Sequence, residues 1–225
     1  AQAFARRLGC FLKLDIRKFF ENADHGVIKA GLRRLVKDPA LLRLADQIIE
    51  HGAPGSPPGK GLPIGNLTSQ HFANHYLSPL DHFIKEVLRV RGYVRYMDDM
   101  LLFADSKEIL REAYRRIRDF LEEKLQLDLK AEATVLAPVS EGIPFLGLRL
   151  WPRVIRLDGP AKRRLIRSLG MGAQGLADGR LHEDDLAASM RSRLGHAAHA
   201  NTLGLRRSLG ELMGFGSKAL RAPTG

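Results

Sequence analysis

The chain has 225 residues and a net charge of +11, with 44% apolar and 27% charged residues. That balance describes a folded globular protein and excludes a disordered one. Its length suffices for one large domain, or a main domain with a small appendage. No apolar run approaches the roughly 18 residues of a membrane span, and no secretory signal opens the chain.

The positive charge suits a polyanionic partner, because Lys and Arg gain affinity by releasing phosphate counter-ions. A single cysteine, Cys10, excludes an internal disulfide and a cysteine-built zinc site, and it fits a reducing, cytoplasmic setting. The opening Ala1-Gln2-Ala3-Phe4-Ala5-Arg6-Arg7 lacks an initiator Met and reads as the last turns of a helix. The expectation is that an N-terminal portion precedes it.

Residues 11–16 alternate apolar and polar up to Asp15, which predicts a strand ending in a carboxylate. Two helical stripes follow, Val27 to Leu35 and Leu41 to Ile49, interrupted by Asp38-Pro39. Residues 51–63 are rich in Gly and Pro and predict a loop. Its Gly59-Lys60 is not a Walker loop: Gly55 stands one residue too close, and Gly61 replaces the Ser or Thr that should follow the Lys. A helix is expected from Thr68 to Leu77, with Ser78-Pro79 capping and starting another.

Next, Tyr93-Val94-Arg95 and Met100-Leu101-Leu102-Phe103 read as two strands, with Asp98 and Asp99 at the tip of their hairpin. Residues 106–125 form the clearest amphipathic helix, and Leu127, Leu129 and Val135 to Leu136 suggest a further strand. Phe145 to Leu150 and Val154 to Leu157 predict a hairpin around Trp151-Pro152. From about residue 160 the composition turns helical, with a Gly-rich loop expected near 170–179.

The order strand, two helices, loop, helix, hairpin, helix, strand fits an α+β fold: an antiparallel ferredoxin-like sheet with helices on one face. Such a sheet brings the end of its first strand beside the tip of the central hairpin, and so Asp15 beside Asp98 and Asp99. Adjacent carboxylates repel one another unless a cation neutralises them, and hard oxygen ligands favour Mg²⁺. Three acids from two strands would make a two-metal site for in-line phosphoryl transfer. Neighbouring Lys13, Arg17, Lys18 and Arg95 could hold phosphates.

Four segments resemble the reverse transcriptase family, in that family's order and spacing. Leu14-Asp15-Ile16-Arg17-Lys18-Phe19-Phe20 resembles its motif A, and Gly61-Leu62-Pro63-Ile64-Gly65-Asn66-Leu67-Thr68-Ser69-Gln70 its motif B. Tyr96-Met97-Asp98-Asp99 resembles motif C, and Phe145-Leu146-Gly147 the motif E primer grip. The resemblance implies a polymerase palm over residues 1–157, with its fingers absent, and a helical thumb-like region over 158–225. It implies Asp15 and Asp98 as ligands of two Mg²⁺ ions, Asp99 as the secondary acid, and a metal contact from the Ile16 carbonyl. Arg17, Lys18, Phe19, Phe20, Ile64, Gly65 and Gln70 would face the incoming nucleotide. Phe20 would be the steric gate selecting dNTPs, with Phe19 the better fit to a buried core position. Tyr96, Met97, Phe145, Leu146 and Gly147 would contact primer and template. The implied partners are an RNA template, a DNA or RNA primer, dNTPs and a basic accessory protein, with no membrane.

Within the family, Ile64 and Gln70 depart from the Gln and Pro of retroviral and group II intron enzymes. That variant resembles the reverse transcriptases of diversity-generating retroelements, as do Thr68 to Asn74 and the thumb-like stretch Arg193 to Asn201. Those enzymes copy a template-repeat RNA into cDNA with frequent errors opposite adenine. Retron-type and group II intron-type enzymes, and a catalytically inactive palm serving as an RNA-binding scaffold, stand as alternatives. Ala133 replaces the Lys usual before the motif D Thr, leaving Lys130 as a candidate proton donor. His196 and His199 have helical spacing but no third ligand nearby, and read as structural.

Overall fold

The structure is a computed structural model describing residues 1–180, 182, 195 and 200–203. His196, His199 and most of the thumb-like stretch therefore lie outside the described residues. The chain divides into two compact units: residues 3–139 with Ala1, and Ser140 onward with Gln2.

The first unit is built on four antiparallel strands: β1 (Cys10–Asp15), β2 (Gly92–Tyr96), β3 (Asp99–Ala104) and β4 (Val135–Pro138). They lie in the order β2-β3-β1-β4, so the strand bearing Asp15 and the strand bearing Asp99 are the two central ones. Leu129, expected in a strand, makes only a single bridge to Ile16.

Strand parity assigns the faces. Leu12, Leu14 and Ile16 of the β1 segment, with Met100, Leu102 and Ala104 of β3, enter one buried cluster. The cluster is completed by α3 (His25–Leu35, through Ile28), α4 (Pro39–Glu50, through Ile49), α5 (Leu67–His82) and α6 (Lys107–Leu125). Alternate residues Phe11, Lys13, Asp15, Asp99, Leu101 and Phe103 face the other way. At the far end of that second face, the Phe103 ring meets Phe4 of the short helix α1 (Gln2–Ala5), with centroids 5.7 Å apart.

Helix starts follow the expected chemistry. Asp24 accepts the Val27 N–H to cap α3, and Asp38 accepts those of Ala40 and Leu41 to cap α4, with Pro39 in its first turn. One boundary differs from expectation: α5 runs straight through Ser78-Pro79 and continues as a π-helical turn, Phe83–Val87. A mid-helix Pro costs about 3 kcal/mol. Leu80 and Ile84, fully buried beyond it, each return roughly 1.5–3 kcal/mol by continuing the stripe of Ala73, Tyr76 and Leu77.

The second unit holds an antiparallel sheet of β5 (Ile143–Phe145), β6 (Leu148–Leu150) and β7 (Ile155–Leu157). Phe145 to Leu150 is thus a hairpin in itself and not one strand. Leu146 (φ +51°) and Gly147 (φ +74°) form its two-residue turn, the sign pattern of a type I′ turn. The Gly-rich stretch from residue 170 is helical to Ala177, within α7 (Gly159–Ala177). An Asp158 cap and buried Leu165 and Leu169 outweigh about 1 kcal/mol per glycine.

Candidate active site

Asp15, the last residue of β1, is the direct antiparallel partner of Asp99, the first residue of β3. Opposed residues in such a pair have Cβ atoms about 5 Å apart, so the two carboxylates share one end of one sheet face. Asp98 joins them from the two-residue turn between Tyr96 and Asp99, which are themselves paired. In that turn Met97 has φ +55°. A positive φ is comfortable only for Gly and strained for other side chains, and such strain concentrates at functional sites.

Burial pushes the Asp98 carboxyl above its ordinary pKa, and the charges of Asp15 and Asp99 push it further. Asp99 is raised by burial first, with the Lys13 ammonium opposing and Asp15 reinforcing. Lys13 lies diagonally across the β1–β3 ladder, and its Nζ is 3.2 Å from Asp99 Oδ1. That oxygen is buried and has no partner in hydrogen-bond geometry, so the contact is an ion pair only. Among the described residues, no three His, Cys, Asp or Glu side chains are gathered closely enough to enclose a metal. Mg²⁺, however, is usually held by one or two carboxylates with waters and substrate phosphates completing its shell. Two half-buried, mutually repelling carboxylates, with one buried oxygen met only by the Lys13 ammonium, fit such an ion.

The expected phosphate cations are already engaged. Arg17 pairs with Glu132 at 3.1 Å and Lys18 with Glu21 at 2.8 Å, both exposed and both exchangeable at little cost. Arg95 is different and requires a correction. It pairs with Met100 in the β2–β3 ladder, so it lies on the helix face, behind the carboxylates. There its Nε and Nη2 grip Asp81 of α5 at 2.8 and 2.5 Å, and its Nη1 donates to Asn74 Oδ1 and to the Met97 carbonyl, both at 3.1 Å. The Tyr93 hydroxyl donates to the same Asp81 at 2.7 Å. Its phenol is pushed up by burial and by the Asp81 charge. Sequence reasoning gave Asp81 and Asn74 no such part, because it set Asn74 in one helix and Asp81 in the first turn of another begun at Ser78-Pro79, where α5 is continuous. The available signal was parity: Tyr93 and Arg95 are two apart on β2 and need a polar partner inside.

Of the aromatic pair, Phe19 is 1% exposed, its ring set edge-on to Phe20 and Tyr76. Phe19 is therefore a core residue and not a nucleotide contact, whereas Phe20 is half-buried. The Phe20 and Ala23 carbonyls accept the N–H groups of Leu62 and Gly61, tying the start of the motif B loop to α2 (Phe19–Asn22). Beyond this anchor Ile64 is 78% exposed, and Gly65 (φ +99°) has open space where a Cβ would stand. Gln70 and Tyr96 are also exposed. The bridge of Ile16 to Leu129 runs through the Arg17 N–H and the Asp15 carbonyl, which accepts from the Lys130 N–H at 2.8 Å. It leaves the Ile16 carbonyl out. Phe145 ends β5, and Leu146 and Gly147 form the β5–β6 turn, all in the second unit.

A family model, reverse transcriptase (RNA-dependent DNA polymerase), matches residues 4–150. Protein YkfC of Escherichia coli K12 is 24% identical over 172 residues, covering 60% of this chain and 45% of that protein. Apo telomerase from Candida tropicalis matches with a TM-score of 0.57 at 11% identity, over 93% of this chain and 45% of the other. Telomerase from Candida albicans, in complex with a fragment of telomeric RNA, matches with a TM-score of 0.55 at 12% identity, over 94% and 44%. The chain thus spans less than half the length of each of these relatives. The structural likeness, at such identities, concerns the fold.

Proposed function

Because the chain belongs to the reverse transcriptase (RNA-dependent DNA polymerase) family, we propose that it extends a primer along an RNA template, with Asp15, Asp98 and Asp99 as its catalytic acids. The observation that carries this reading is the register that sets Asp15 opposite Asp99, beside the Asp98 turn and on the sheet face away from the helices.

The family uses divalent metal ions, and Asp15, Asp98, Asp99 and the Ile16 carbonyl are the groups that would hold two Mg²⁺. When bound, the ions supply charge neutralisation to the attacking and leaving oxygens. The bond formed joins the primer 3′ oxygen to the dNTP α-phosphorus, and the bond broken frees pyrophosphate. Lys130 is the proton donor to that leaving group. Arg17 and Lys18, exchanging their exposed carboxylate partners, hold phosphates. Phe20 excludes a 2′-hydroxyl, while Ile64, Gly65 and Gln70 border the nascent base pair. Tyr96 and Met97, with Phe145, Leu146 and Gly147, contact primer and template. In this reading residues 1–157 act as palm and 158–225 as a thumb-like region, and the setting is cytoplasmic.

Within the family we assign the chain to a diversity-generating retroelement, with a basic accessory protein as partner. Ile64 supports this: an aliphatic side chain cannot hydrogen-bond the incoming nucleotide as Gln would, which weakens discrimination. Primer extension on RNA with Mg²⁺ and dNTPs tests the polymerase reading, with Asp98→Asn as control. Activity in the parent chain that the substitution abolishes supports it, and equal signals end it. A second reading, an inactive palm that binds RNA, draws on Ala133 in place of the motif D Lys. RNA binding by a parent chain that never extends a primer would favour it.

A further inference from the structure

We infer that Arg95 is a positioning residue: it holds the strained Met97-Asp98 turn from the helix side of the sheet, with Asp81 of α5 as its anchor. The inference rests on the reading of Asp98 as a catalytic acid. Met97, at φ +55°, keeps its left-handed backbone only if its surroundings over-determine it. The donor to the Met97 carbonyl is Arg95 Nη1 at 3.1 Å. Fixing that carbonyl fixes the peptide plane leading into Asp98, and with it the direction from which the Asp98 carboxylate departs.

The anchor is stiff. Arg95 is 10% exposed and bidentate on Asp81, Tyr93 donates to the same carboxylate, and Asn74 accepts from the nitrogen that serves Met97. A planar guanidinium can serve all these acceptors at once, whereas an ammonium cannot. The charge is spent on the face opposite Asp15 and Asp99, so Arg95 cannot meet substrate there. Helix α5, which begins in the exposed loop bearing Ile64 and Gly65, is thereby coupled to the acid-bearing turn through three side chains.

Arg95→Lys and Asp81→Asn test this, each checked for fold by circular dichroism and thermal midpoint. The first readout needs no catalysis: amide hydrogen exchange at Asp98 and Asp99. We expect exchange at least about tenfold faster in Arg95→Lys, in line with losing one charge-assisted hydrogen bond. The second readout is primer extension, where kcat should fall roughly 10–100-fold while the KM for dNTP stays within about twofold. Asn74→Ala, which removes an acceptor but not the tether, should move both readouts far less. Unchanged exchange in a folded Arg95→Lys would overturn the inference. So would a raised KM at constant kcat, which would make Arg95 a substrate contact. If the parent chain extends no primer, faster exchange still establishes the tether, and only the polymerase reading fails.

Discussion

Arg95 and Met97 are two residues apart, yet the guanidinium of the first reaches round to the carbonyl of the second, at 3.1 Å, from the packed side of the sheet. The turn that presents Asp98 is therefore gripped from behind. The carboxylate side is left to Asp15, Asp99 and Lys13, which turns the two sides of one hairpin to different ends.

Replacing Asp98 by Asn should separate chemistry from stability. Burial and the neighbouring carboxylates disfavour the charged form of Asp98, so the neutral amide relieves the fold while removing a metal donor. Primer extension should drop at least about 10²-fold. The thermal midpoint in metal-free buffer at pH 8 should rise by about 2 °C. A midpoint that falls would show that the carboxylate is satisfied as it stands.

Ile64→Gln should lower misincorporation opposite template adenine by about tenfold, the worth of one hydrogen bond of roughly 1.4 kcal/mol. Sequencing cDNA made by both proteins on one template measures it. An unchanged error rate would leave Ile64 without a part in fidelity.

His75 on α5 should set a pH dependence of stability. A Cβ built on Gly31 of α3 would lie 2.6 Å from its Nε2, so the ring packs on that backbone. Burial lowers its pKa from the ordinary 6.5. The unfolded chain then takes up the proton more readily than the folded one. This contribution is complete above about pH 6.5 and is lost as pH falls through the lower, folded value. Urea titrations between pH 8 and 5 should show the loss in the parent and a flatter profile in His75→Gln.

Gly142→Ala should unsettle the second unit. Gly142 has φ +80°, and an added Cβ would stand 2.5 Å from Cε2 of the Trp151 ring. Backbone strain and overpacking together predict a loss of about 3 kcal/mol. Because Trp151 is the sole tryptophan, its fluorescence reports the change directly, and an unshifted spectrum would contradict the packing.

Much of this was legible beforehand. Apolar alternation marked β1 as ending at Asp15, and the order of elements implied a sheet in which Asp15 meets Asp99, because parity and connectivity are local properties of the chain. Less legible was anything decided by burial across long separations. Pro79 reads as a helix boundary, yet the stripe of Tyr76, Leu77, Leu80 and Ile84 carries α5 through it. Arg95 reads as a phosphate ligand until its strand is paired, when it falls on the helix face against Asp81. Phe19 and Phe20 look alike in sequence, and only packing on Tyr76 buries the first. Leu146 reads as strand, but its left-handed backbone bends the run into a turn.

The alternation along β1 has one more effect. Odd positions there, Lys13 and Asp15, look toward the acids, while even positions, Leu12 and Leu14, are sealed beneath helices. Neighbours in the chain thus serve different ends, one packing and the next chemistry. The division holds only at the acid end of the strand: farther back the odd residue Phe11 is itself buried, so Lys13 and Asp15 are the positions whose chemistry is separable from the scaffold.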